Sequence, residues 1–266
     1  MTHPAIASPS NPRIKAAVRL RDHRERHGTG LTIVDGAREL RRALEAGVVV
    51  EEAFVHLPFV RTADARAALD RLHDGDVSIV EVSEAAFEKV AFGDRSDGIV
   101  AIVRVPGTSL NALRLPPEPL VTVLEGVEKP GNVGAVLRSA DGAGADALVI
   151  ADPRTDIFNP NAIRASLGTI FSVPIGADTT PQVRLWLDTW APRLIAARPE
   201  AKMLPWDVDL TGPVAIVLGN EADGLGTRWA GDDVIGVRIP MRGVADSLNV
   251  SIAAAVLLYE ARRQRG

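Results

Sequence analysis

Short apolar runs set off by glycine-rich loops constrain this chain more than any other feature. Val121–Leu124, Ala147–Ala151 and Val214–Leu218 carry a single polar side chain between them, Thr122. A strand with one wet face alternates polar and apolar residues. A continuous apolar run instead suits a strand covered on both faces, as in a parallel sheet flanked by helices. Further strands are expected at Leu120–Gly126, which extends the first run, and at Phe171–Pro174, Leu194–Ala197 and Val234–Ile239. Helices are expected near Val133–Gly142, Pro160–Leu167 and Pro181–Trp190 and in the final segment. Strands alternating with helices in this way imply an α/β fold.

The first hundred residues repeat the alternation in miniature. Asn11-Pro12 reads as a cap followed by proline at the first helical position, opening a helix to about Arg26. Strands follow at Leu31–Val34, Val48–Val55, Val77–Val80 and Ile99–Val105, with helices at Gly36–Ala46, Thr62–Leu72 and Ser83–Val90 between them. The expected organisation is a small α/β domain over residues 1–105, a proline-rich linker over 106–119 (PGTSLNALRLPPEP), and a second α/β domain over 120–266.

Composition narrows the function classes. With 46% hydrophobic residues the chain can build a real core, yet no apolar run reaches the roughly 20 residues that span a bilayer. The N-terminus lacks the basic-then-apolar pattern of a signal peptide, so a cytoplasmic protein is expected. Without cysteine there are no disulfides, thiolate metal sites or cysteine nucleophiles. The net charge of -4 does not advertise a nucleic-acid binder, but its distribution is uneven. Between Arg13 and Arg42 nine basic residues face only Asp22, Glu25, Asp35 and Glu39. Arg13, Lys15 and Arg38 are the candidate RNA contacts in that stretch; a solvated arginine-rich helix explains it equally well.

Three polar clusters fall where second-domain strands end, the place where open α/β sheets bind ligands. They are Glu125–Arg138 (EGVEKPGNVGAVLR), Leu218–Leu225 (LGNEADGL) and Ile239–Asn249 (IPMRGVADSLN). No G-x-G-x-x-G follows a strand and no Walker sequence occurs, which removes the dinucleotide and P-loop readings. All five histidines lie in the first domain, so the second has neither histidine nor cysteine for nucleophilic or zinc chemistry, and no metal is expected. Arg138, Asn132, Glu221, Ser247 and Asn249 remain, a set suited to orientation and charge stabilisation. Asp246, Ser247 and Asn249 can also be read as caps of a buried C-terminal helix whose inner face would be Leu248, Ile252, Val256 and Tyr259.

At these clusters the chain resembles the SpoU, or TrmH, family of RNA ribose 2′-O-methyltransferases of the SPOUT superfamily. The resemblance rests on N-x-G-A-x-x-R at Asn132–Arg138, G-N-E-x-x-G-L at Gly219–Leu225, and I-P-M with S-L-N across Ile239–Asn249, in the family's order. The NPRIK start and G-A-R-E-L at Gly36–Leu40 resemble the family's substrate-binding domain, itself similar to small ribosomal proteins. Ser96-Asp97-Gly98-Ile99 departs from the pattern, since many members carry Gln or His before Gly-Ile.

The resemblance implies a parallel sheet whose C-terminal segment forms a trefoil knot, a homodimer, and S-adenosylmethionine as cofactor. By position Gly219, Ile239 and Leu248 would meet the cofactor through backbone groups. Met241 would line its pocket, with Leu218 and Asn220 beside it. The reaction implied is methyl transfer to a ribose 2′-hydroxyl, with 23S rRNA the first expectation and tRNA the second; a non-catalytic RNA-binding homologue is the alternative. Arg138 is effectively always protonated, so it suits a phosphate clamp and alkoxide stabiliser better than a base. Asn132, Glu221, Ser247 and Asn249 would position it, the ribose and the loops. Arg164 is a further candidate RNA contact.

Overall fold

The computed structural model describes residues 3–75, 77–92, 97–220 and 224–266, with side chains from Ile6 onward. Two compact units emerge: residues 1–106 with 158–172, and residues 107–157 with 173–266.

The first unit is built on a five-stranded sheet. Its elements are β1 (His3–Ile6), α1 (Pro12–Arg19), α2 (His23–Thr29), β2 (Leu31–Asp35), α3 (Ala37–Glu45), β3 (Val50–Val55), α4 (Ala63–Asp74), β4 (Ser78–Val82), α5 (Glu84–Val90) and β5 (Ile99–Arg104). Strand order is β1-β4-β3-β5-β2; β5 runs antiparallel to both neighbours. Phe54 packs with Ile14, Ala17 and Phe87 from α1 and α5 on one face of the sheet. Alternation along β3 turns buried Ala53 and Val55 to the other face. The expected single helix from Pro12 to Arg26 is two: the chain turns at Leu20–Asp22, and the Asp22 side chain caps α2 by accepting from Arg24 N.

The second unit carries β6 (Leu120–Glu125), α6 (Pro130–Ala143), β7 (Ala147–Ala151), β8 (Ile175–Asp178), α8 (Thr180–Asp188), β9 (Arg193–Ala197), β10 (Val214–Leu218), β11 (Val234–Val237) and α9 (Val250–Arg265). All six strands are parallel, in the order β11-β9-β10-β6-β7-β8. Val121, Val123, Val149, Ala215 and Val217 pack beneath Val183 and Leu187 of α8. Alternate residues meet α6 and α9, which lie against each other. Helix α9 follows the edge strand β11 yet packs on α6, the helix that follows β6 in the middle of the sheet.

Four expectations change. Residues 106–119 do more than stiffen a connection: Leu110 is buried in the second core, and Thr108 O accepts from Ala177 N at 2.8 Å. Apolar side chains among the prolines anchor the segment. Phe171–Pro174 is not a strand. Gly168, at φ +85°, turns the chain into a 3₁₀ turn over Thr169–Phe171, and β8 starts after Pro174. This turn and α7 (Pro160–Ala165) belong to the first unit, although the chain order suggested the second. Phe158 O accepts from Thr32 Oγ1 of β2 at 2.8 Å, and Leu167 O accepts from Arg42 of α3 at 2.9 Å. Finally, α9 buries Val250, Ala254, Leu257, Leu258 and Ala261, while Ile252, Val256 and Tyr259 are 53%, 36% and 53% exposed. Alanines on the buried side let α9 approach α6 closely.

Candidate functional site

A cavity of about 350 Å³ opens where β9, β10 and β11 end. Each strand contributes its last residue (Ala197, Leu218 and Val237) and the loop that follows. Leu218, Gly219, Asn220, Ile239, Met241 and Leu248, singled out from the sequence, all line it, as do Asp246 and Ser247. The buried strands supply apolar walls, and the loops supply backbone amides and carbonyls.

Glycine has a defined purpose at two of these positions. A Cβ on Gly219 would overlap the Gly224 carbonyl, so only glycine lets the loop after β10 fold back on itself. Gly224 N donates to Asn220 O at 3.2 Å and closes that turn. Gly126, at the end of β6 with φ +61°, leaves room for the Asn220 amide, whose Nδ2 would stand 3.4 Å from a Cβ there. The first and second polar clusters meet at this contact.

The third cluster divides its labour. Asn249 is the true cap of α9: its Oδ1 accepts from Ser251 N at 3.0 Å and from Ser251 Oγ. Its Nδ2 donates to Asn132 Oδ1 at 3.3 Å, tying the start of α6 to the start of α9. Asp246 and Ser247 do not cap; they are exposed at the cavity. Asn249 caps the helix, while Asp246 and Ser247 line the cavity. Glu221 lies outside the described residues, as does Ser96 at the departure from the family pattern.

Arg138 stands apart from this group. It is exposed on α6 and makes no hydrogen bond or ion pair with a described residue. Six residues along a helix put it about 120° around from Asn132. It shares a face instead with Gly142, four residues on, where a Cβ would lie 2.8 Å from Tyr259 Oη. Arg138 thus flanks the uncovered stripe of Ile252, Val256 and Tyr259 on α9.

The basic stretch of the first unit is mostly spent on the unit itself. Arg13 pairs with Glu52, and Arg38 pairs with Asp64 at 3.6 Å. Arg21 donates to the last carbonyls of α5, and buried Arg26 donates to Leu20 O. Arg164 is bound too: its Nη2 lies 3.0 Å from Asp35 Oδ2, and its guanidinium sits 4.9 Å over the Phe92 ring. Lys15 and Arg24 are the members of the stretch that extend into solvent without a side-chain partner among the described residues.

Two charged residues at the cavity escaped sequence reasoning. Arg198 and Glu200 follow β9 and line the cavity, with Arg198 Nη1 3.3 Å from Glu200 Oε1. The usable signal was position: they stand just past the C-terminal end of a strand, like the three clusters, but without the glycines that marked those. Among the described residues no group of three metal-binding side chains occurs. No described helix is long and apolar enough to cross a membrane.

A parallel sheet with a cavity of mixed apolar and polar lining at its strand ends is the place where α/β domains bind ligands, here joined to a smaller mixed α/β unit. Residues 119–259 match the SpoU rRNA Methylase family, and residues 11–101 match the MRM3-like substrate binding domain. The chain belongs to the SpoU rRNA Methylase family. The 23S rRNA (guanosine(2553)-2′-O)-methyltransferase RlmP of Bacillus subtilis is 27% identical over 97% of this chain and 98% of its own length. A solved RNA 2′-O ribose methyltransferase matches at TM-score 0.85 and 40% identity, covering 98% of this chain and 99% of that one. The SpoU methyltransferase AviRb from Streptomyces viridochromogenes, solved in complex with AdoMet, matches at TM-score 0.84 and 28% identity, covering 96% and 98%.

Proposed function

We propose that this protein transfers a methyl group from S-adenosylmethionine to a ribose 2′-hydroxyl of 23S rRNA in the cytoplasm. The observation that carries the reading is the convergence of Leu218, Gly219, Asn220, Ile239, Met241 and Leu248 on one cavity in a chain of this family. The residues fit the cofactor. Apolar walls suit an adenine, Gly219 removes the Cβ that would keep the loop open, and backbone groups from three loops face the space. When bound, the cofactor supplies a methyl group activated on a sulfonium.

What the chain's own residues do follows from their chemistry. Ser247 and Asn249 sit where the cavity meets α9, and Asn132 holds Asn249 in place. Arg138 offers a planar, permanently charged fork to an RNA phosphate and to the alkoxide that forms as the hydroxyl loses its proton. The proton leaves to phosphate or water, since no histidine stands in the second unit. Alignment alone can lower the barrier by up to roughly 7–11 kcal/mol, so binding groups without a strong base suffice.

The working form is a homodimer in which α6 and α9 of each copy face the other. An exposed stripe of Ile252, Val256 and Tyr259 beside Arg138 supports this, because it places an apolar surface next to a catalytic candidate that its own chain does not join to Asn132. The first unit binds the RNA. The test is incubation with methyl-labelled cofactor and either ribosomal or transfer RNA, followed by alkaline hydrolysis. A labelled, alkali-resistant linkage in 23S rRNA is expected. Label in tRNA alone would move the substrate assignment, and no label together with no heat of cofactor binding would mark a non-catalytic homologue.

A further inference from the structure

The loop that walls the cavity after β10 is gripped from two sides through a single residue, Gly226. Its N–H donates to Glu125 Oε2 at 2.7 Å, and its carbonyl accepts from Arg198 Nη2 at 3.1 Å. Glu125 is the last residue of β6, and Arg198 follows β9, so the two flank β10 from either side. Between Gly219 and Gly226 the described residues are Asn220, Gly224 and Leu225, of which Leu225 enters the core. Gly226 admits no side chain without crowding its holder: a Cβ would lie 3.3 Å from Glu125 Oε1.

Glu125 also lies against Thr180. Its Oε1 lies 3.1 Å from Thr180 Oγ1, which is 2.6 Å from Asp152 Oδ2; Thr180 N also donates to Asp152 Oδ1 at 3.1 Å. Thr180 Oγ1 has one proton, and the shorter contact assigns it to Asp152. Among the described residues the amide of Gly226 is then the strong donor to Glu125, and the grip on the loop is a carboxylate-to-amide bond, stronger than a neutral one.

We propose that Glu125 and Arg198 are positioning residues for the cofactor: acting together through Gly226, they hold Gly224 and its described neighbours in the loop after β10 where they line the cavity. This rests on the reading of that cavity as the S-adenosylmethionine site. The same geometry predicts which replacement is tolerated. In Glu125→Gln the amide oxygen can accept from Gly226 N while Nε2 donates to Thr180 Oγ1, whose lone pairs are free once its proton goes to Asp152. Glu125→Ala leaves the loop amide without its partner.

The test is calorimetric titration of the full-length protein with S-adenosylmethionine, without RNA, beside thermal melting of each variant. Wild-type binding must be seen first; its absence would overturn the cofactor reading and not the clamp. Glu125→Ala is expected to weaken binding roughly 10-fold, the loss of one charge-assisted bond, with Glu125→Gln within about twofold of wild type. Arg198→Ala should weaken binding to a similar extent. The double variant should be little worse than either single one, because both release the same residue. Fully additive losses would make Arg198 a direct cofactor contact and overturn the joint clamp. Unchanged binding in Glu125→Ala, or equal loss in Glu125→Gln and Glu125→Ala, would overturn it as well. A loss of melting temperature with cofactor affinity retained would reduce Glu125 to a purely structural group.

Discussion

The polar candidates that the sequence singles out end differently in the two units. In the first, Arg13, Arg21, Arg26, Arg38, Arg41, Arg42 and Arg164 all bind a carboxylate or a carbonyl of the unit itself. In the second, Arg138, Asp246 and Ser247 are exposed and make no hydrogen bond with a described residue, although Arg184, Arg193, Arg198 and Arg263 pair there with carboxylates. A cluster of like charges in sequence is therefore a weak pointer to a binding surface, because folding can consume it. A motif residue that the fold leaves exposed and without a partner is a stronger one, because no contact within the described fold accounts for it.

The largest test of this contrast is Arg138→Ala. If its freedom reflects catalysis, methylation should fall on the order of 100-fold or more while cofactor affinity stays at the wild-type value. Arg138→Lys should recover little of it, since an ammonium cannot replace the bidentate fork. Full activity in either variant would break the contrast from the side of the second unit. Arg164→Ala attacks it from the other side. Asp35 is 2% exposed and would be left as a buried carboxylate without its guanidinium, though Phe92 N still donates to it at 2.9 Å. We expect a loss of roughly 2 kcal/mol in urea unfolding. That is less than the roughly 3–5 kcal/mol of a fully buried pair, because about a third of the Arg164 side chain is exposed. RNA affinity falling with stability untouched would return Arg164 to the contacts.

The stripe on α9 shows where sequence reasoning runs out. Leu248, Ile252, Val256 and Tyr259 satisfy helical spacing, but so do Val250, Ala254, Leu257, Leu258 and Ala261. Periodicity reports that both faces are apolar; only packing on α6 decides which is buried by the chain's own fold. Strand β10 was legible to the residue because a wholly apolar run between glycine-rich loops admits few alternatives. Strand β1 is four residues long and was missed for want of any pattern. Lone residues such as Asn132 and Asn249 were legible as candidates through their motifs, but their mutual hydrogen bond spans 117 positions and has no trace in local sequence. Arg198, Glu200 and the clamp on Gly226 depend on strand order, β9 beside β10 beside β6, which chain order alone does not reveal.

If the uncovered stripe is the dimer surface, Val256→Glu should shift the protein from dimer to monomer in light-scattering chromatography. The dissociation constant should rise at least tenfold, since a charge would enter an apolar contact. The fold should survive, because Val256 faces solvent in the single chain. Methylation should fall with dimer content if Arg138 needs a second copy, and an active monomer would confine the site to one chain.

The smallest expected effect concerns the residues of the basic stretch that folding leaves over. Lys15 is exposed on α1 and Arg24 on α2, and neither side chain has a partner among the described residues. By the criterion that separates the two units, they should be the ones that touch RNA phosphate. Replacing both with alanine should weaken RNA binding only a few-fold at moderate salt. It should flatten the plot of log affinity against log salt by about 1.5, the share of two released counterions. Cofactor affinity and melting temperature should not move. Arg13→Ala is the matched control. It removes the same charge from the same stretch but breaks the pair with Glu52, so stability should drop while the salt slope holds. An unchanged slope in the double variant, with a changed slope in Arg13→Ala, would mean that a residue can serve the fold and the RNA at once. Being free of partners would then cease to distinguish the RNA-facing charges of the first unit.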